Sequence, residues 1–338
     1  MRLVQEAKRL FSGQVLPQGG TYPIRTEFPV GGEVYNTIRL IFHNSVTVGD
    51  AANPVLRGGY NIVRNIIFRS ARGEEFVVCP GMGMHQLNWM LNGVEPVYDN
   101  IAAGTAVYDT IIDLPFSMRM LARKEDLAVH TARYSHVELD LSIGTIADLF
   151  TTNTTGTNVT TLDIVLFRNK SGLYASGEPL AAPYIKHYPQ YQIARGYLDV
   201  ESAYDLSMLG FIAFSQDMDA TNGYVPCVGV PYSGVEADLL NWLTFKDNLG
   251  TYIDQKSLPS FREERGQYGT INHADIVAGV GDGMGMYPYF FAREGSIYNG
   301  YWTGEKSEIR LENDPTRLGA QVLHAVDTLF FGLRTLRK

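Results

Sequence analysis

Charge is scarce in this chain, and none of it comes in long blocks. Of 338 residues only 19% are Asp, Glu, Lys or Arg, below the roughly 25% of an average soluble protein. The balance is acidic, with a formal net charge of -8. A surface built to grip nucleic acid sets clustered Lys and Arg against phosphate, so direct sequence-specific nucleic-acid binding is not expected. Cysteine is almost absent: Cys79 and Cys227 are the whole complement, too few for a disulfide-built secreted domain. Both sit in apolar strand-like runs and read as buried thiols, with an inter-domain disulfide as the alternative. No apolar run approaches the roughly 20 residues of a membrane-spanning helix. The opening MRLVQEAKRLF lacks the apolar core and small-residue cleavage site of a secretory signal. Synthesis as a soluble chain in the cytoplasm is therefore expected.

Catalytic spacings are missing too. His43, His85, His130, His136, His187, His273 and His324 are scattered, and none forms HExxH or a Cys/His zinc pattern. His130 and His136 flank a loop and a strand, the nearest approach to a metal pair. DMDATNG (217–223) puts Asp217, Asp219 and Asn222 before a glycine, but Val228 stands where a calcium loop closes with Glu. A turn between strands fits better. GVGDGMG (279–285) lacks the strand-then-helix setting of a phosphate cradle. Glu74-Glu75 and Glu263-Glu264 are adjacent pairs, whose members face opposite ways on a strand. Ser45, Ser135 and Ser215 lack a GxSxG elbow. No catalytic, cofactor or metal residue is assigned, and no enzymatic activity is expected.

What the chain does have is aromatics and turn formers: 20 Tyr and 16 Phe beside 34 Gly and 15 Pro. Aromatic residues favour strands, and Gly and Pro supply the turns. Period-two alternation is clean in places. In HVELDLSI, Val137, Leu139, Leu141 and Ile143 share one face; in TLDIVLFRN, Leu162, Ile164 and Leu166 oppose Asp163, Val165 and Phe167. Such patterns predict antiparallel sheets on a core. They predict strands at 22–29, 34–47, 59–70, 73–79, 105–117, 133–143 and 161–169. After the small-residue and proline-containing stretch SGLYASGEPLAAP they resume at 184–193, 205–216, 223–232, 286–293, 296–303, 306–312 and 321–334.

Residues 82–92 and 145–150 read as short helices, and 235–262, with Leu239, Leu240, Trp242 and Leu243, as helix and loop. Residues 2–11 place Leu3, Val4, Ala7, Leu10 and Phe11 on one helical stripe, predicting an amphipathic helix ended by Ser12-Gly13. A further hint is a repeat: FVVCPGMGMHQLNWML (76–91) and YVPCVGVPYSGVEADLLNWLT (224–244) share Val-x-Cys-x-Gly and Leu-Asn-Trp. It reads as a strand giving way to a helix in each of two similar halves. The expectation is an all-β chain of two tandem eight-stranded jelly-roll barrels with short helical insertions. Its parts are an N-terminal helix and arm (1–20), a first barrel (21–172), a linker (173–183) and a second barrel (184–338).

In order and texture the chain resembles the double-jelly-roll major capsid proteins of tailless icosahedral viruses, most closely those of tectivirus-like phages with an internal membrane. The resemblance rests on the leading helix, on IRLIFHNSVTV followed by GGYNIVRNIIFRSARGEEFVV, and on the Trp89 helix before TAVYDTIIDLPFSM. It rests most on MYPYFFAREGSIYNGYWTGEKSEIRLEND and QVLHAVDTLFFGLRTL as closing strands. It implies a structural protein of the virion, forming homotrimeric pseudo-hexagonal capsomers. Partners would be copies of itself, neighbouring capsomers, penton and minor capsid proteins, and internal membrane lipid. Basic residues at both ends, Arg2, Lys8, Arg9, Arg334, Arg337 and Lys338, would contact anionic lipid or an inner partner. A carbohydrate-binding or carbohydrate-active jelly roll and a trimeric viral spike or receptor-binding protein are the alternatives.

Overall fold

The computed structural model describes residues 5–24, 27–49, 54, 58–92, 96–97, 99, 101, 104–116, 127–150, 155–170, 181–188, 197–201, 206–219, 223–226, 240–247, 250–256, 286–291, 301–302, 307–313 and 323–335. In the first half they form β1 (Gln5–Leu16), β2 (Gly20–Ile24), β3 (Glu33–Val48), helix α1 (Gly58–Asn61), β4 (Val63–Ser70), β5 (Glu75–Cys79), helix α2 (Gly81–Asn92), β6 (Gly104–Pro115), the short β7 (Val129–His130), β8 (Val137–Ile143) and β9 (Gly156–Lys170). The second half adds β10 (Ala181–Tyr188), β11 (Tyr197–Glu201), β12 (Leu206–Asp219), β13 (Gly223–Pro226), β14 (Leu240–Asp247), β15 (Thr251–Lys256), β16 (Met286–Phe290), β17 (Tyr301–Trp302), β18 (Ser307–Asn313) and β19 (Leu323–Thr335).

The pairing order repeats. Setting aside β7, the eight strands of the first half lie as first-eighth-third-sixth (β1-β9-β3-β6) and second-seventh-fourth-fifth (β2-β8-β4-β5). Setting aside β13 and β17, those of the second half lie in the same two orders: β10-β19-β12-β16 and β11-β18-β14-β15. Two sheets in that order are a jelly roll, and the chain contains it twice. The barrels share a sheet. β5 pairs with β10 in parallel, Ile185 with Val77 and Lys186 with Val78, so one sheet of each barrel continues into the other across ten strands.

Alternation fills the first core. Ile38, Leu40, Phe42 and Val46 of β3 and Leu162, Ile164 and Leu166 of β9 are fully buried. They belong to one apolar cluster with Ile66 and Phe68 of β4 and Leu139, Leu141 and Ile143 of β8. Phe68 is the aromatic hub, with ring centroids 5.6 Å from Phe28, 5.5 Å from Phe76 and 5.7 Å from Phe116. In the second barrel Phe245 of β14 holds the same strand position, 6.1 Å from Phe211 and 5.0 Å from Phe291. Such pairs add about 0.5–1.5 kcal/mol beyond the area they bury.

Helix α2 forms as expected within 82–92 and is buried nearly all round, from Met82 to Leu91. Asn88 ties it down, donating to the carbonyls of Met84 at 2.9 Å and Asp113 at 2.7 Å.

Three expectations are overturned. The N-terminal stretch is not a helix: β1 is a strand of the first barrel, laddered onto β9 from Gln5↔Asn169 to Leu16↔Thr160. Its register shifts between Arg9 and Phe11 and again between Phe11 and Gln14, and Gly13 lies at a φ of 73°. Bulges of this kind break strict alternation, so the apolar spacing mimics a helical stripe. The region read as helix and loop at 235–262 contains β14 and β15, again with a register shift, between Leu240 and Trp242. The sequence repeat fails with it. Leu87-Asn88-Trp89 lies in α2 whereas Leu240-Asn241-Trp242 opens a strand. Moreover, β5, which ends at Cys79, is a fifth strand, while β13 before Cys227 is an added hairpin. The duplication belongs to the strand order, not to that motif.

Gly81, the first residue of α2, leaves no room for a side chain: a Cβ there would stand 2.4 Å from the Tyr60 carbonyl oxygen. Gly81→Ala should displace α2 from α1 and cost about 1–3 kcal/mol. In thermal unfolding it should lower the midpoint clearly, while Gly20→Ala, where nothing lies within 4 Å, should leave it nearly unchanged.

Candidate functional site

The residues weighed for chemistry are dispersed by the fold. Cys79 is buried at the end of β5, its thiol 3.4 Å from the Pro80 carbonyl; Cys227 lies outside the described residues. His85 is buried in α2 between the rings of Tyr60 (4.5 Å) and Trp89 (5.9 Å). His130 sits in β7, where burial lowers its pKa. His136 is exposed beside Glu138. His187 falls in β10 and His324 in β19, while His273 is outside the described residues. Among the described residues no three His, Cys, Asp or Glu side chains gather as metal ligands. Asp217 and Asp219 belong to β12, and Asp219 pairs with Gly223 of β13, so both ends of DMDATNG lie in paired strands; residues 220–222 between them are outside the described residues. GVGDGMG and Glu263-Glu264 lie outside the described residues. Glu75 pairs with Lys186 across the inter-barrel junction at 3.2 Å.

One polar constellation does form, and alternation alone did not reveal it. On the outer face of the β1-β9-β3-β6 sheet, Arg9 and Asp163 form an ion pair, His43 Nε2 lies 3.7 Å from Asp163, and His43 Nδ1 lies 2.6 Å from Asp109. Four strands are thus crossed by a single row of polar side chains. Beside it Arg39 forks onto Asp113 at 2.7 and 2.8 Å. Its guanidinium also lies 5.2 Å above the Phe167 ring. A His–Asp pair could activate a nucleophile, but among the described residues no hydroxyl bonds to His43. The geometry serves sheet cohesion, since opposite charges on neighbouring strands stabilise their pairing.

Of the basic residues at the two ends, Lys8 and Arg9 lie in β1, both exposed, and Arg9 also bonds to Ser12 at 2.6 Å. Arg334 lies in β19 opposite Ala182. Arg2, Arg337 and Lys338 are outside the described residues.

Asp163 is the anchor of the row. Partial desolvation acts to raise its pKa. The Gly13 N–H at 2.7 Å, Arg9 and Ser12 outweigh that and hold the carboxyl below the ordinary aspartate range. A carboxyl whose folded pKa is depressed contributes stability in full above its unfolded pKa, and loses it as pH falls through the folded value. Asp163→Asn should cost about 1 kcal/mol near neutrality, because Arg9 is largely exposed. In urea titrations the gap between variant and parent should close as pH falls through and below the ordinary aspartate range. A gap independent of pH would show that the carboxylate's charge is not what anchors β1.

No family model matches the chain, and no curated protein sequence does. Solved structures do match. A chain of the atomic structure of Sulfolobus turreted icosahedral virus aligns over 98% of this chain and 91% of its own length, at 14% identity and a TM-score of 0.67. The major capsid protein of bacteriophage PM2 aligns over 99% of both chains, at 11% identity and a TM-score of 0.58. The Faustovirus major capsid protein aligns over 99% of this chain and 91% of its own, at 9% identity and 0.59. The likeness is one of fold and runs through nearly the whole length: the chain is a double jelly roll of the kind found in viral major capsid proteins.

Proposed function

We propose that this protein is a structural, non-enzymatic major capsid protein, and that three copies form one pseudo-hexagonal capsomer of an icosahedral shell. The observation that carries this reading is the doubled strand order, β1-β9-β3-β6 with β2-β8-β4-β5 repeated by the second half. Three copies then supply six similar barrels, which tile a hexagonal lattice with half the chains that single barrels need. Likeness in fold to the capsid proteins of PM2 and Faustovirus supports it. Closed cyclic assembly is the usual solution for identical subunits. The chain would be made in the host cytoplasm and built into the virion, meeting neighbouring capsomers, penton and minor capsid proteins.

The basic residues near both ends are proposed to face the inside of such a shell. Since β5 and β10 are parallel, the two barrels point the same way. β1 therefore begins, and β19 ends, at one common end. Lys8 of β1, Arg334 of β19, and Arg2, Arg337 and Lys338 beyond them would gather there against anionic lipid, at about 1 kcal/mol each.

Light scattering of the purified chain should give the mass of three copies, and concentrated protein should form shells in electron micrographs. A stable monomer with affinity for glycans would overturn the reading. Reversing Arg334, Arg337 and Lys338 to Glu should reduce co-sedimentation with anionic vesicles at least tenfold and leave the trimer mass unchanged. Equal binding by parent and variant would remove the lipid contact.

A further inference from the structure

We infer that copies of this chain join by repeating, between molecules, the strand junction that each makes within itself: β15 of one copy lies edge to edge, in parallel, with β1 of the next. The inference rests on the capsid reading and specifies the contact that reading requires.

Inside the molecule, the fifth strand of the first barrel, β5, pairs with the first strand of the second, β10. The second barrel has its own fifth strand, β15, and the first barrel its own first strand, β1. Among the described residues β15 ladders only onto β14, and β1 only onto β9. Among these residues each has a ladder on one side only, and an edge as long as the 12 residues of β1 is a template for another strand. A rotation about an axis along the strands keeps their direction, so the new junction is parallel, as the internal one is. The contact is head-to-tail, using different surfaces on the two partners, and such contacts close into rings.

The register can be carried across. Phe68 and Phe245 hold the fourth-strand position in their barrels; Phe68 pairs with Val77 and Phe245 with Ile253, so Ile253 answers to Val77. On the other side, the third strands carry matching bulges at Asn36 and Leu209, whose carbonyls accept from the N–H groups of Phe116 and Phe291. The residues just past them face Phe167 and Phe331, which pair with Ala7 and Ile185, so Ala7 answers to Ile185. The internal pairs Ile185–Val77 and Lys186–Val78 therefore become Ala7 of one copy beside Ile253 of another, and Lys8 beside Asp254.

Charge sign follows the same rule. Lys186 on the first strand meets Glu75 on the fifth inside the molecule, while β1 carries Lys8 and Arg9 and β15 carries Asp254.

The test uses thiols at the second of these pairs. Neighbouring strands lie about 4.7–4.9 Å apart, within disulfide reach. The assembled Lys8→Cys/Asp254→Cys chain, mildly oxidised, should run on non-reducing denaturing gels mostly as a covalent trimer. Lys8→Cys chains mixed with Asp254→Cys chains should stop at dimers, and either alone should stay monomeric. Val77→Cys/Ile185→Cys should close internally without a gain in mass. Suppose instead that trimers of normal mass form and the internal pair closes, yet neither Lys8→Cys/Asp254→Cys nor Lys8→Cys/Ile253→Cys links chains. The edge contact is then wrong while the capsid reading stands. A chain that stays monomeric at every concentration overturns both.

Discussion

The arrangement of the whole molecule depends on one short ladder, the parallel pairing of β5 with β10. Backbone N–H and C=O groups at a sheet edge need partners, and each barrel, closed as a sandwich, still has edges to satisfy. Joining the fifth strand of one barrel to the first of the other removes two edges at once and merges two four-stranded sheets. It also fixes direction. Because the pairing is parallel, the barrels stand the same way up, and the chain enters at β1 and leaves at β19 from one common end. Lys186 and Glu75 at 3.2 Å add a charge pair to this seam.

Within each barrel, cohesion comes from an aromatic hub on the fourth strand facing the opposite sheet: Phe68 in one, Phe245 in the other. Polar residues do their work on the outside. The row Arg9, Asp163, His43, Asp109 ties four strands across a face where alternation leaves half-buried positions. These interactions bind neighbouring strands of one sheet to each other.

Strands with unbroken alternation were legible. Val137, Leu139, Leu141 and Ile143 are buried as the pattern demands, and so are Leu162, Ile164 and Leu166. Helix α2 was legible because its residues are apolar over three turns. The errors have one physical cause. β1 and β14 both carry bulges, at Arg9–Gln14 and at Leu240–Trp242, and a bulge shifts later side chains to the other face. The apolar spacing then drifts toward that of a helix. The polar row was also hidden, since Arg9 and Asp163 are 154 residues apart and only register makes them neighbours.

By itself the sequence determined the β class, the two-barrel length and the alternating core positions, because side-chain polarity at period two is a local property. Tertiary structure alone decided that residues 5–16 are a strand, that the duplication lies in strand order and not in Val-x-Cys-x-Gly, and that β5 of one barrel pairs with β10 of the other. Those outcomes depend on which distant backbone supplies hydrogen-bond partners, and no local pattern encodes that choice.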